Sequence, residues 1–154
     1  YDELALGVAA ADRQLIAAGV TYVEDASAGN GRQEWDTFER LIGTGHLKVG
    51  VSLMEGYGHA GEAPSRSAGG RLVRGGVKIA PRELEHEMFP GPAELSRQVG
   101  LVDRQGRQVA VHAVGRAAVE AATAAFRGRR RRATRRARCA GCATSGCRAG
   151  RHRR

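Results

Sequence analysis

Helical and strand-like periods alternate along residues 1–126, and this alternation predicts an α/β chain built on a parallel sheet. Two further observations point the same way. The run QVAVHAV (108–114) is almost entirely apolar, the pattern of a strand covered on both faces. Helix-like stretches also end near glycines able to stop them, at Gly19, Gly43 and Gly106. Four strand-like runs are too few to close an eight-stranded βα barrel, which takes about 250 residues. The pattern therefore fits either a small open α/β domain or part of a barrel.

The elements follow in order. Leu4, Val8, Ala11 and Leu15 recur at helical spacing ahead of Gly19, and VTYVEDA (20–26) follows as a short β-rich run ending in an acid. In QEWDTFERLIG, Trp35, Phe38, Leu41 and Ile42 share one helical face. LKVGVSLM (47–54) places Leu47, Val49, Val51 and Leu53 at alternate positions, a strand signature. Residues 55–75, rich in Gly, Ser and Arg, read as a long loop, and GVKIA (76–80) as a third strand. An irregular acidic segment, PRELEHEMF, leads to Gly91 and Pro92, where proline suits a first helical turn and Glu94 suits its dipole. Leu95, Val99 and Val102 give that helix its buried stripe; after the fourth strand, an alanine-rich helix spans about 116–126.

Charge divides the chain in two. The net charge of +9 invites a nucleic-acid reading, but residues 1–126 hold 13 basic against 16 acidic residues and so carry −3. Residues 127–154 hold 12 arginines, no acid and all three cysteines, and so carry +12. The body reads as one domain and the tail as a disordered low-complexity segment. A body without cysteine gives no sign of a disulfide framework and reads as cytoplasmic. No apolar run approaches the roughly 18–20 residues of a membrane span, and no secretory signal opens the chain.

Two polar residues interrupt the apolar strands. Lys78 lies in GGVKIA and His112 in QVAVHAV, each toward the C-terminal end of its strand, the end at which α/β folds place their chemistry. A lysine inside a covered strand is costly unless it is neutral, paired or modified. A histidine there offers a neutral nitrogen ligand or a general base. Either residue alone reads more readily as structural, Lys78 snorkelling and His112 hydrogen-bonded in the core; their placement together on successive strands shifts the reading toward a shared site.

GGVKIAPRELEHEMFPGPAEL followed by GRQVAVHAVGRAAVEAATAAF resembles the middle of the amidohydrolase superfamily, in particular the amidohydrolase-3 group of N-substituted formamide deformylase-like proteins. AGVTYVEDA is similar to that group's second-strand segment. The resemblance spans about 4–126 and is most specific over 76–120. It implies a partial TIM-type (β/α)₈ barrel, about strands two to five with their helices. It further implies that Lys78 is the lysine which, once carboxylated, bridges two divalent metals, usually zinc. His112 would be the fifth-strand metal ligand and Glu83 an accessory acid beside them. The implied chemistry is hydrolysis of amide or other non-peptide C–N bonds of small molecules by metal-activated water. Three departures stand out. The family's first-strand histidines would precede Tyr1, its eighth-strand aspartate would follow Arg154, and Arg116 stands where relatives often carry an aspartate. The chain thus reads as an internal fragment, expected to be inactive alone.

After the alanine-rich helix, such relatives enter a strand bearing an Arg-[Ile/Val]-Glu-His motif, whereas this chain continues RGRRRRATRRARCAGCATSGCRAGRHRR. Arg, Ala, Gly and Cys share G/C-rich codons, the composition of a GC-rich gene read out of frame. With CGN arginine codons, Thr134 to Arg138 shifted by one base permits Arg-Val-Glu-His. Taken literally, Cys139, Cys142, Cys147 and His152 have the spacing of a zinc knuckle with the last two ligand types exchanged, beside arginines suited to nucleic-acid phosphates. The tail has no aromatic residue for base stacking, so this reading predicts only incidental polyanion contact.

Overall fold

The computed structural model describes residues 1–67, 69–84 and 87–129. Helix α1 (Asp2–Ala17) leads to strand β1 (Tyr22–Asp25), helix α2 (Arg32–Gly43) and strand β2 (Gly50–Gly56). A 3₁₀ turn (Tyr57–His59) and a loop precede β3 (Leu72–Ile79). A two-stranded hairpin, β4 (Arg82–Leu84) with β5 (Glu87–Phe89), then precedes α3 (Pro92–Arg104) and β6 (Val109–Val111). A final helix, α4, occupies 116–129 of the described residues. The sheet runs β1-β2-β3-β6 with every pairing parallel, and it curls into a half-barrel with helices on its outer side.

Two apolar clusters join sheet to helices. In the first, Trp35, Leu41 and Ile42 of α2 and Ala5 of α1 meet Val51 and Leu53 of β2 and Leu72 of β3. In the second, Leu95, Val99 and Val102 of α3 and Ala121 and Ala125 of α4 meet Val77, Ile79 and Val109. Val8 and Leu15 of α1 pack against the first cluster as expected, but the face is turned slightly from the expected one. Ala5 and Asp12 are buried while Leu4 is 50% exposed, because Asp12 is the residue that must reach the sheet. Its carboxylate accepts the backbone N–H groups of Lys48 and Val49 at 2.9 and 3.0 Å, just ahead of β2. Asp12→Ala leaves both donors without that acceptor. A loss of about 1–3 kcal/mol is expected in urea unfolding, and a loss near zero would show that water replaces the carboxylate.

Four local differences from the sequence expectation have physical causes. The strand begins at Gly50 and not Leu47, since Leu47 and Val49 are drawn into the first cluster as the chain leaves α2. The third strand begins at Leu72, inside the expected loop. The acidic segment forms the hairpin β4-β5, with Met88 packed against the second cluster. Finally, β6 is covered on one face only: Val109 is 9% exposed and its neighbours less buried, because helices cover only the outer side of the sheet. No helix among the described residues is long and apolar enough to cross a membrane.

Candidate functional site

Register decides where Lys78 and His112 point. Lys78 pairs with Ala110, and side chains two apart on a strand share a face, so His112 lies on the face of Lys78, one diagonal step along. The His112 N–H donates to the Ile79 carbonyl at 2.8 Å, which carries the ladder past the end of β6. From strand spacing and rise, the two Cα atoms are on the order of 8 Å apart. Val77 and Ile79, the neighbours of Lys78, face the helices, so Lys78 and His112 face the inner side of the curl. Lys78 is half-buried and His112 exposed.

The β1–α2 loop reaches over the same end of the sheet. Gly56 pairs with Lys78, and a Cβ there would strike the Ala28 carbonyl, so glycine lets this loop lie across the top of β2. The loop is fastened by buried Asn30, whose side-chain amide donates to Asp25 Oδ1 and to the Met54 carbonyl, both at 3.1 Å. The Gly56 N–H returns a bond to the Asn30 carbonyl at 2.8 Å. Burial alone would raise the carboxyl pKa of Asp25, but hydrogen bonds from Ser27 and Asn30 outweigh it and hold the group below 3.8. A depressed folded value stabilises the fold above the unfolded pKa and is lost as pH falls through the folded one. Between about pH 5 and 2.5, the urea midpoint of wild type should therefore fall more steeply than that of Asp25→Asn. Parallel curves would count against this linkage.

Glu83 has a definite structural task. It stands on β4 with its carboxylate at the start of α4, where Oε1 accepts the Ala118 N–H at 3.1 Å. A Cβ on Gly115 would run into that carboxylate. Glu83 therefore caps α4 from a distant strand, and its negative charge suits the helix N-terminus. Glu83→Ala should cost about 1 kcal/mol, read as reduced amide-exchange protection in the first turn of α4; unchanged protection there would remove this role.

The most heavily buried charge has no counterpart in the sequence reading. Glu55, fully buried at the end of β2, accepts the N–H groups of Gly61 and Ala63 and pairs with Arg107 at 2.7 Å, with Arg74 at 3.9 Å. A local signal existed, an acid directly following a strand-like run, but its partner lies 52 positions away. Cys139, Cys142, Cys147 and His152 lie outside the described residues. Among the described residues no three or more His, Cys, Asp or Glu side chains converge as a metal ion requires. Compared with known protein families, curated proteins and solved structures, the chain matches none.

Proposed function

We propose that residues 1–126 are strands two to five of a TIM-type amidohydrolase barrel, and that Lys78 and His112 are metal-site residues of a hydrolase cleaving amide or other non-peptide C–N bonds in small molecules. One observation carries this reading. Both residues occupy the helix-free inner face, at the C-terminal ends of adjacent parallel strands, within one register step. The resemblance of the segments around GGVKIA and QVAVHAV supports the same pair.

The described residues do not fit a complete metal centre. Lys78 and His112 are two donors, whereas a zinc ion takes about four, and no cluster of three or more His, Cys, Asp or Glu side chains is present among the described residues. No catalytic step is therefore assigned to this chain by itself. The expected result for the purified 154-residue chain, assayed with zinc, bicarbonate and a set of formamides, hydantoins and simple amides, is no hydrolysis above background. Zinc-dependent turnover by that chain would overturn the fragment reading. A product that carries the coding sequence upstream of codon 1, where the first-strand histidines would lie, and is read one base out of phase beyond codon 133 should show zinc-dependent hydrolysis, lost in Lys78→Ala and in His112→Ala. Full activity in both variants would remove the proposed site. Zinc bound equally well by wild type and both variants of the 154-residue chain would place the metal away from Lys78 and His112.

A further inference from the structure

We infer that Arg107, held by the buried carboxylate of Glu55, is a positioning residue that sets Lys78 on the face of His112. The inference rests on the reading of Lys78 and His112 as one site, and it concerns how the fold delivers Lys78 there.

The starting point is a break in alternation. Along β3, Leu72 faces the first helical cluster, and continued alternation would turn Arg74, Gly76 and Lys78 the same way. Lys78 would then stand among Leu95, Val99 and Val102, with Val77 and Ile79 on the inner face. The structure shows the reverse, with Val77 and Ile79 in that cluster. Register explains it: Leu53 pairs with Arg74 but Glu55 with Val77, so β3 advances three residues while β2 advances two. The extra residue is a β-bulge at Gly75-Gly76. It lets Leu72 before it and Val77 and Ile79 after it all face the helices, leaving Lys78 inside.

The bulge is built into its surroundings. A Cβ on Gly75 would lie 2.6 Å from Ser52 Oγ and 3.3 Å from the Leu53 carbonyl, and one on Gly76 would lie 2.8 Å from the Gln108 carbonyl. Its two carbonyls turn toward Arg107, whose Nη2 donates to the Gly75 oxygen at 2.9 Å and to the Gly76 oxygen at 3.3 Å. The other arm, Nη1, contacts Glu55 at 2.7 Å. A planar guanidinium can join a carboxylate and two carbonyls in one plane; an ammonium offers no such fork. Arg107 touches neither Lys78 nor His112 through any of these bonds, so it acts through the backbone of β3.

The chain has only two lysines, Lys48 and Lys78, so reductive ¹³C-methylation gives two lysine signals, assigned with Lys78→Arg. In the wild-type chain the Lys78 methyls should give nuclear Overhauser contacts to the Ala110 methyl and the His112 ring. Arg107→Gln should lose both while keeping its far-UV circular dichroism. Deleting Gly76 in that background restores simple alternation with Val77 still outward, and the contact to Ala110 should return. A folded Arg107→Gln with both contacts at full strength overturns the inference, as does a folded double variant that fails to regain the Ala110 contact. If Arg107→Gln does not fold, Arg107→Lys is read in its place: loss of the contacts supports the inference and retention overturns it. A wild-type contact to Ala110 without one to His112 leaves the bulge argument standing and instead counts against the shared site.

Discussion

Arg107→Met should lower the free energy of unfolding by about 3–5 kcal/mol, the range for removing one partner of a buried ion pair. The cost arises because Glu55 is fully buried and would be left with only Arg74, 3.9 Å away, and two backbone N–H groups as partners. Urea unfolding followed by the fluorescence of Trp35, the single and fully buried tryptophan, measures it directly. The double variant Glu55→Leu/Arg107→Met should recover most of the loss, because a buried pair replaced by apolar side chains no longer carries its desolvation cost. An exposed pair sets the scale: Arg116 and Glu120 meet at 2.8 Å but are 92% and 66% exposed, and breaking them should cost no more than about 0.5 kcal/mol. If Arg107→Met behaved like that surface pair, Glu55 would have another source of compensation and the clamp on the bulge would be dispensable.

The same cluster marks the limit of what the sequence made legible. A β-rich run was enough for β1 and local period for α2 and α3, whose apolar stripes recur without interruption, and the βα alternation correctly foretold a parallel sheet. It failed where the period is broken on purpose. LVRGGVKI holds two alternating halves offset by one residue, so a period-two reading catches GVKIA and discards Leu72 and Val73, although a double glycine inside a β-rich run is itself a bulge signal. Asp12 was hidden for a different reason: a polar residue on a helix's inner face reads as an interruption until the two strand-entry N–H groups that it satisfies are known. Lys78 and His112 were legible as exceptions within apolar strands. That they share a face was not, because register and bulge are set by residues as distant as Glu55 and Arg107.

Trp35→Ala should be comparably damaging, at about 3–5 kcal/mol for removing a large buried aromatic. Trp35 is fully buried at the centre of the first cluster, among Leu41, Val51, Leu53 and Leu72, where neighbours anchored in β2 and α2 have little freedom to collapse into the gap. Its Nε1 is also buried with no hydrogen-bond partner among the described residues, so part of what the indole gains by burial is offset by an unmade bond. Trp35→Phe keeps most of the apolar contact and removes that donor, and should therefore cost less than about 1.5 kcal/mol. Far-UV circular dichroism during urea unfolding compares the two variants without relying on the lost fluorophore. Equal losses would mean that the apolar volume phenylalanine keeps does not stabilise this position. The site gives the comparison a second use. Lys78 and His112 sit on strands anchored by the other cluster, through Val77, Ile79 and Val109, so folded Trp35→Phe should keep the Lys78–Ala110 contact intact. Loss of that contact would mean that the two clusters act as one unit, coupled through Glu55, whose strand carries the first cluster while its partner Arg107 precedes β6 of the second.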